Sequence, residues 1–128
     1  MKRAIFYFVL FCLTISFSFA NNSALDYYNA GRNFQQRENF ARAIEYYQEA
    51  LKIRERLAIA HPEVYEADVA TTLNSLALLC NKTKRFDKAE EYYLRALEIR
   101  ERLAKANPKA YEANVSQSLN NLANLYRD

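Results

Sequence analysis

The chain has 128 residues with 51% hydrophobic content and a formal charge of +3, enough for one domain with a buried core. Glycine occurs once and proline twice, which leaves long stretches without a breaker and excludes a turn-rich β fold. Setting aside Lys2 and Arg3, 16 basic residues stand against 15 acidic ones, an interspersed balance that gives nucleic acid or anionic lipid no electrostatic hold.

The N-terminus has the pattern of a secretory signal. Lys2 and Arg3 precede an apolar run from Ala4 to Phe17 broken only by Thr14 and Ser16, and Ser18-Phe19-Ala20 places small residues before Asn21. We read residues 1–20 as a signal peptide cleaved before Asn21. The alternative is an uncleaved N-terminal anchor, for which the run is at the lower limit of length. Either way the rest of the chain is expected outside the cytoplasm, and a membrane partner only through an uncleaved signal segment. Cys80 is then the one cysteine remaining, so stability must come from helix packing rather than from a disulfide.

Beyond the signal, the apolar residues step by three and four. Five helices are predicted at about 24–36, 40–60, 64–83, 87–106 and 110–127, with Pro62 and Pro108 separating the long ones. The second carries the stripe Phe40, Ala43, Tyr47, Ala50, Leu51, Arg54 and Leu57, which the alkyl stem of the arginine extends. Val69, Leu73, Leu76, Ala77 and Cys80 form the next stripe, and Val115, Leu119, Leu122, Ala123 and Tyr126 the last. Ala43, Ala50, Gly31 and Ala77 leave room for backbones to approach, and Tyr47, Tyr93, Phe40 and Phe86 are expected to fill the space between. On the fourth helix Glu91 with Arg95, and Glu98 with Arg102, are spaced as i, i+4 ion pairs.

The chain repeats itself. Shifted by 46 residues, segment 40–82 aligns with 86–128, and 24 of the 43 positions are identical. Ile53-Arg54-Glu55-Arg56-Leu57-Ala58 returns as Ile99-Arg100-Glu101-Arg102-Leu103-Ala104. A single helical hairpin cannot bury its stripe on both sides, so the hairpins must stack. Tyr27, Ala30, Gly31 and Phe34 followed by Phe40, Ala43, Tyr47 and Ala50 resemble the signature of the tetratricopeptide repeat. Leu73, Leu76, Ala77 and Cys80 with Phe86, Ala89, Tyr93 and Ala96 resemble it again. The strings around Leu97 to Ala104 and Leu119 to Ala123 are most similar to the elongated repeats of the kinesin-light-chain type. Two departures stand out: each unit is longer than the usual repeat, and Glu38-Asn39 and Lys84-Arg85 stand where many repeats place a glycine between helices.

The resemblance implies an all-α fold of antiparallel hairpins in a short right-handed solenoid, with units at about 24–60 and 64–106 and a half unit at 110–128. It also implies a non-catalytic scaffold whose first helices line a groove for a protein or extended peptide. Carried onto this chain, the groove residues are Tyr28, Asn29 and Arg32, then Thr71, Asn74, Ser75 and Leu78, then Gln117, Asn120, Asn121 and Asn124. Asparagine donates and accepts at once, which suits a peptide backbone without demanding one sequence. The family's carboxylate clamp is not expected, because of its basic groups only Arg32 has a counterpart. An alternative reading makes the chain the sensory N-terminal part of a larger signalling protein, a kinase or transcription regulator.

No chemistry is expected. His61 is the only histidine and has no partner at ligand spacing, the acidic residues sit on helix faces, and no phosphate loop or nucleophile motif occurs. Neither a cofactor nor a metal is called for. At the C-terminal end, Val115, Leu119, Leu122 and Tyr126 are expected to pack back on the fourth helix. Leu125 is expected to be exposed, allowing self-association through the last helix.

Overall fold

The computed structural model describes residues 1–127, which form five α-helices: α1 (Lys2–Gln36), α2 (Phe40–Ala60), α3 (Pro62–Lys82), α4 (Phe86–Ala106) and α5 (Pro108–Arg127). Each packs chiefly on its neighbours in sequence, α1 on α2 through to α4 on α5, so the chain is a stack of helical hairpins. The core lies between the layers and is built from the predicted stripes. Ala43, Ala50, Leu73, Leu76 and Ala77 are fully buried, with Tyr47 and Tyr93 wedged among them.

Pro62 and Pro108 do more than separate helices. Each occupies the first position of the helix that follows, where its missing N–H costs nothing and its φ is already helical. His61 joins α2 to α3 in an extended conformation (φ −137°, ψ 73°), its N–H donating to the Leu57 carbonyl. The connections α1–α2 and α3–α4 are built alike. Glu38 and Lys84 adopt the left-handed conformation, at φ 58° and 61°. The next N–H reaches back to the last turn, Asn39 to the Phe34 carbonyl and Arg85 to that of Cys80. The turn therefore keeps the geometry that glycine would favour, and two long side chains carry it instead. Asn39 also caps α2, its Oδ1 accepting from the Arg42 N–H at 3.2 Å.

Several expectations need correction. The first helix does not begin near residue 24 but runs unbroken from Lys2, since Asn21, Asn22 and Ser23 contain no breaker. Its apolar start is exposed, and by length and composition it is able to cross a membrane. Farther along, its Phe17 ring meets the edge of His61 at 5.0 Å. Phe86 does not fill the core: it is 47% exposed, whereas Phe40 is partly buried with the Lys82 ammonium 5.6 Å from its ring. The arginines of α4 bridge helices instead of pairing along their own. Arg95 reaches Glu55 of α2 at 2.6 Å and Arg102 reaches Glu66 of α3 at 2.7 Å, while Glu91 takes Lys88.

The last helix departs most. Leu125 is buried, 7% exposed, beside Leu122 at 5%. Leu119 and Tyr126 are instead exposed, at 50% and 62%. Leu122 and Leu125 lie three apart on the side turned toward the core, and Leu119 and Tyr126 lie together to one side of that pair. The residues that cover their counterparts Leu73 and Cys80 come from α4, and among the described residues no helix stands in that place beyond α5.

Candidate functional site

Helices α1, α3 and α5 are tied to one another along one side of the stack by side-chain hydrogen bonds. Tyr28 on α1 and Ser75 on α3 share a bond of 3.0 Å. One repeat farther on, Asn121 Nδ2 on α5 donates to Asn74 Oδ1 on α3 at 2.8 Å. The two bonds join equivalent positions, because Tyr28 corresponds to Asn74 and Ser75 to Asn121 in the repeat alignment. The result is a polar ladder running across the first helices. Each asparagine of the second rung keeps one unused function: Asn74 its amide donors and Asn121 its carbonyl oxygen.

Beside the first rung lies a cleft of about 410 Å³, lined by Tyr28, Arg32, Gln35, Gln36, Tyr47, Ser75 and Lys82. Its floor is built by packing. The Tyr47 ring lies against Gly31, where an added Cβ would stand 2.7 Å from the ring, and its centroid is 5.1 Å from that of Tyr28. The Tyr47 hydroxyl donates to Gln35 Oε1 at 2.7 Å. Burial, reinforced by the neighbouring Tyr28, pushes the Tyr47 hydroxyl up to about 12, so it stays a neutral donor at any physiological pH. Arg32 is exposed at the mouth, where Lys82 also stands, making this end of the side basic.

Of the eleven groove residues expected from sequence, Tyr28, Arg32 and Ser75 meet in this cleft, and Asn74 and Asn121 form the second rung. Thr71 and Ser75 also bond to backbone carbonyls of their own helix, at 3.0 and 3.2 Å. Leu78 is 37% exposed. Asn29, Asn120 and Asn124 are exposed, Asn124 accepting from Arg127 Nη2 at 2.8 Å. Gln117 is exposed as well, its Oε1 accepting from Arg100 Nη1 at 3.3 Å.

Sequence reading missed Gln35, Gln36 and Lys82, which enter the cleft from helix ends, and it missed the buried arginine clusters beneath the ladder. Arg54 is only 6% exposed, and its Nη1 donates to Thr72 Oγ1 at 2.7 Å, whose own hydroxyl donates to the Asp68 carbonyl at 2.8 Å. The Arg54 guanidinium also lies 4.6 Å over the Tyr28 ring, which braces that tyrosine from below. Arg100 repeats the motif with Ser118 Oγ at 2.8 Å and the Asn114 carbonyl at 3.4 Å. Burial holds both guanidinium groups below their ordinary value. The recurrence of arginine with a hydroxyl residue 18 positions later is the signal the sequence carries for these clusters.

A tetratricopeptide-repeat model matches residues 24–57, and a second model of the same repeat matches residues 68–128. The chain belongs to the tetratricopeptide-repeat family. Together the two matches cover both complete hairpins' signature positions and the whole of α5. No curated protein is similar enough to count as a relative. Repeats of this family suggest a protein-interaction scaffold, and the buried Cys80, its thiol pushed up by burial, makes a poor nucleophile here.

Proposed function

We propose that this tetratricopeptide-repeat chain acts outside the cytoplasm as a non-catalytic scaffold that binds a protein segment or extended peptide along α1, α3 and α5. The observation that carries the reading is the hydrogen-bonded ladder of Tyr28–Ser75 and Asn74–Asn121, which holds paired donors and acceptors at repeat spacing beside a basic cleft. Such a row satisfies successive backbone amides of an extended chain, and Arg32 and Lys82 favour an acidic side chain or carboxylate at one end. Asn29, Thr71, Leu78, Gln117, Asn120 and Asn124 complete the proposed surface.

A peptide selected from a library of unstructured sequences on the full chain is the test. Asn74→Ala with Asn121→Ala should weaken its binding at least tenfold, and Arg32→Ala should weaken acidic peptides more than neutral ones. Glu45→Ala, on the opposite side of α2, should change nothing. Unchanged binding in the double variant would remove the ladder from the site.

Export rests on Lys2 and Arg3, the apolar run to Phe17 and the small residues to Ala20, all within the exposed start of α1. The mass of the chain recovered from its own compartment is expected to lack the first twenty residues. A full-length mass on a membrane-bound chain would instead establish α1 as an anchor.

A further inference from the structure

The two repeats supply an internal comparison. On α3 the stripe that includes Val69, Ala70, Leu73, Ala77 and Cys80 is covered by α4, each of these residues being at most 4% exposed. At the N-terminal end of that stripe Glu66 receives Arg102, from near the C-terminal end of the antiparallel α4, at 2.7 Å. The matching stripe on α5 is Glu112, Val115, Ser116, Leu119, Ala123 and Tyr126. Glu112, Ser116, Leu119, Ala123 and Tyr126 face solvent, and Val115 is half-buried.

A helix that covers such a stripe must run antiparallel to it, bring small residues where the backbones approach, and end on an arginine able to reach the glutamate. α5 itself meets all three conditions. Laid antiparallel on a second α5 about a two-fold axis between Leu119 and Asn120, it puts Ser116 opposite Ala123 and Glu112 opposite Arg127, each pair occurring twice. Arg127 is exposed and is the last described residue of α5. We infer that the α5 stripe is a homodimerisation surface, on which a second copy of this chain packs its own α5 antiparallel, with Leu119 at the centre and Glu112–Arg127 ion pairs at both ends. The symmetry closes the assembly at two. A helix of this length presents a face only about 30 Å long. That falls short of the roughly 800 Å² per partner of a standard interface, so the pair is weak and covalent capture is the suitable readout.

The stripe adjoins the proposed peptide surface only at Asn120 and at Asn124, which accepts from Arg127 at 2.8 Å, and it shares no residue with the Tyr28–Ser75 and Asn74–Asn121 ladder, so the two can fail independently. The test uses the full chain in mild detergent with Cys12→Ser, leaving only the buried Cys80. Leu119→Cys should give a disulfide-linked dimer under mild oxidation, at about tenfold the yield of Asn124→Cys on the peptide side. In the Leu119→Cys background, Glu112→Arg or Arg127→Glu alone should reduce the yield several-fold, and the two together should restore it. Circular dichroism of each variant confirms that it is folded. Absence of the dimer, equal yield from Asn124→Cys, or a double reversal that fails to restore cross-linking overturns the proposal and leaves the stripe to another protein segment.

Discussion

Replacing Tyr47 or Tyr93 by alanine should cost about 3–5 kcal/mol, the range for truncating a large buried aromatic side chain. Tyr47 is 1% exposed and Tyr93 2%, and each lies between small residues that let neighbouring helices close on it. Tyr47 has the more demanding place. Its ring fills the space left by Gly31, packs at a tilt against the Tyr28 ring, and sends its hydroxyl to Gln35. A domain of this size has only roughly 5–15 kcal/mol in all, so either variant should lose a large part of its stability. Urea denaturation followed by circular dichroism reads the loss as a lower midpoint. Tyr47→Phe keeps the wedge and drops the bond to Gln35, so it should cost only about 1 kcal/mol. If Tyr47→Ala unfolds at nearly the parent midpoint, the aromatic wedge does not join α2 to α1.

The buried arginines should show a different behaviour, in which two harmful changes partly cancel. Thr72→Val preserves shape but removes the shorter-range acceptor of Arg54, leaving it the Asp68 carbonyl at 3.5 Å and an Nε without a partner, and should cost about 1.5–3 kcal/mol. Arg54→Met removes the buried charge and should be milder, because burying a cation without a carboxylate already costs desolvation. In the double variant no polar group is left waiting for the other, and stability should return to within about 1 kcal/mol of Arg54→Met alone. The same cycle on Arg100 and Ser118 should couple less strongly, since Arg100 retains Gln117 as well as the Asn114 carbonyl, whereas Arg54 retains only the Asp68 carbonyl. Additive losses at Arg54 and Thr72 would mean that the bond at 2.7 Å contributes nothing specific.

The sequence disclosed the helices and most of the core because the repeat displayed each stripe twice, so that Ala43, Tyr47 and Ala50 could be checked against Ala89, Tyr93 and Ala96. The same device misled at the chain's last helix. Leu125, expected to be exposed, is the counterpart of Leu79 at the 46-residue shift; Leu79 is fully buried, and Leu125 follows it into the core. Periodicity gives the angle around a helix but not which neighbour stands at that angle. For the same reason Arg95 and Arg102 read as partners of Glu91 and Glu98 on their own helix, although Glu55 and Glu66 stood closer across the interface. The start of α1 is not legible from the apolar stripe alone, because Asn21, Asn22 and Ser23 interrupt the apolar pattern without interrupting the helix.

At the candidate site, residue types were legible and pairings were not. Tyr28, Ser75, Asn74 and Asn121 could be placed on the first helix of each hairpin from their spacing. That they bond to one another across helices depends on an offset of 47 residues rather than the repeat's own step, which no single-helix pattern reveals. The basic mouth required the fold as well, since Lys82 leaves the end of α3 to stand near Arg32.

The claim that α1, α3 and α5 form the binding side is tested most directly by a selected peptide carrying a benzophenone, photo-cross-linked to the full chain and mapped by mass spectrometry. The adducts should fall on Tyr28, Ser75, Asn74, Asn121 and their exposed neighbours on the same three helices. Adducts concentrated on α2 and α4 instead, for example around the cleft of Tyr46, Glu45 and Glu49, would contradict the account.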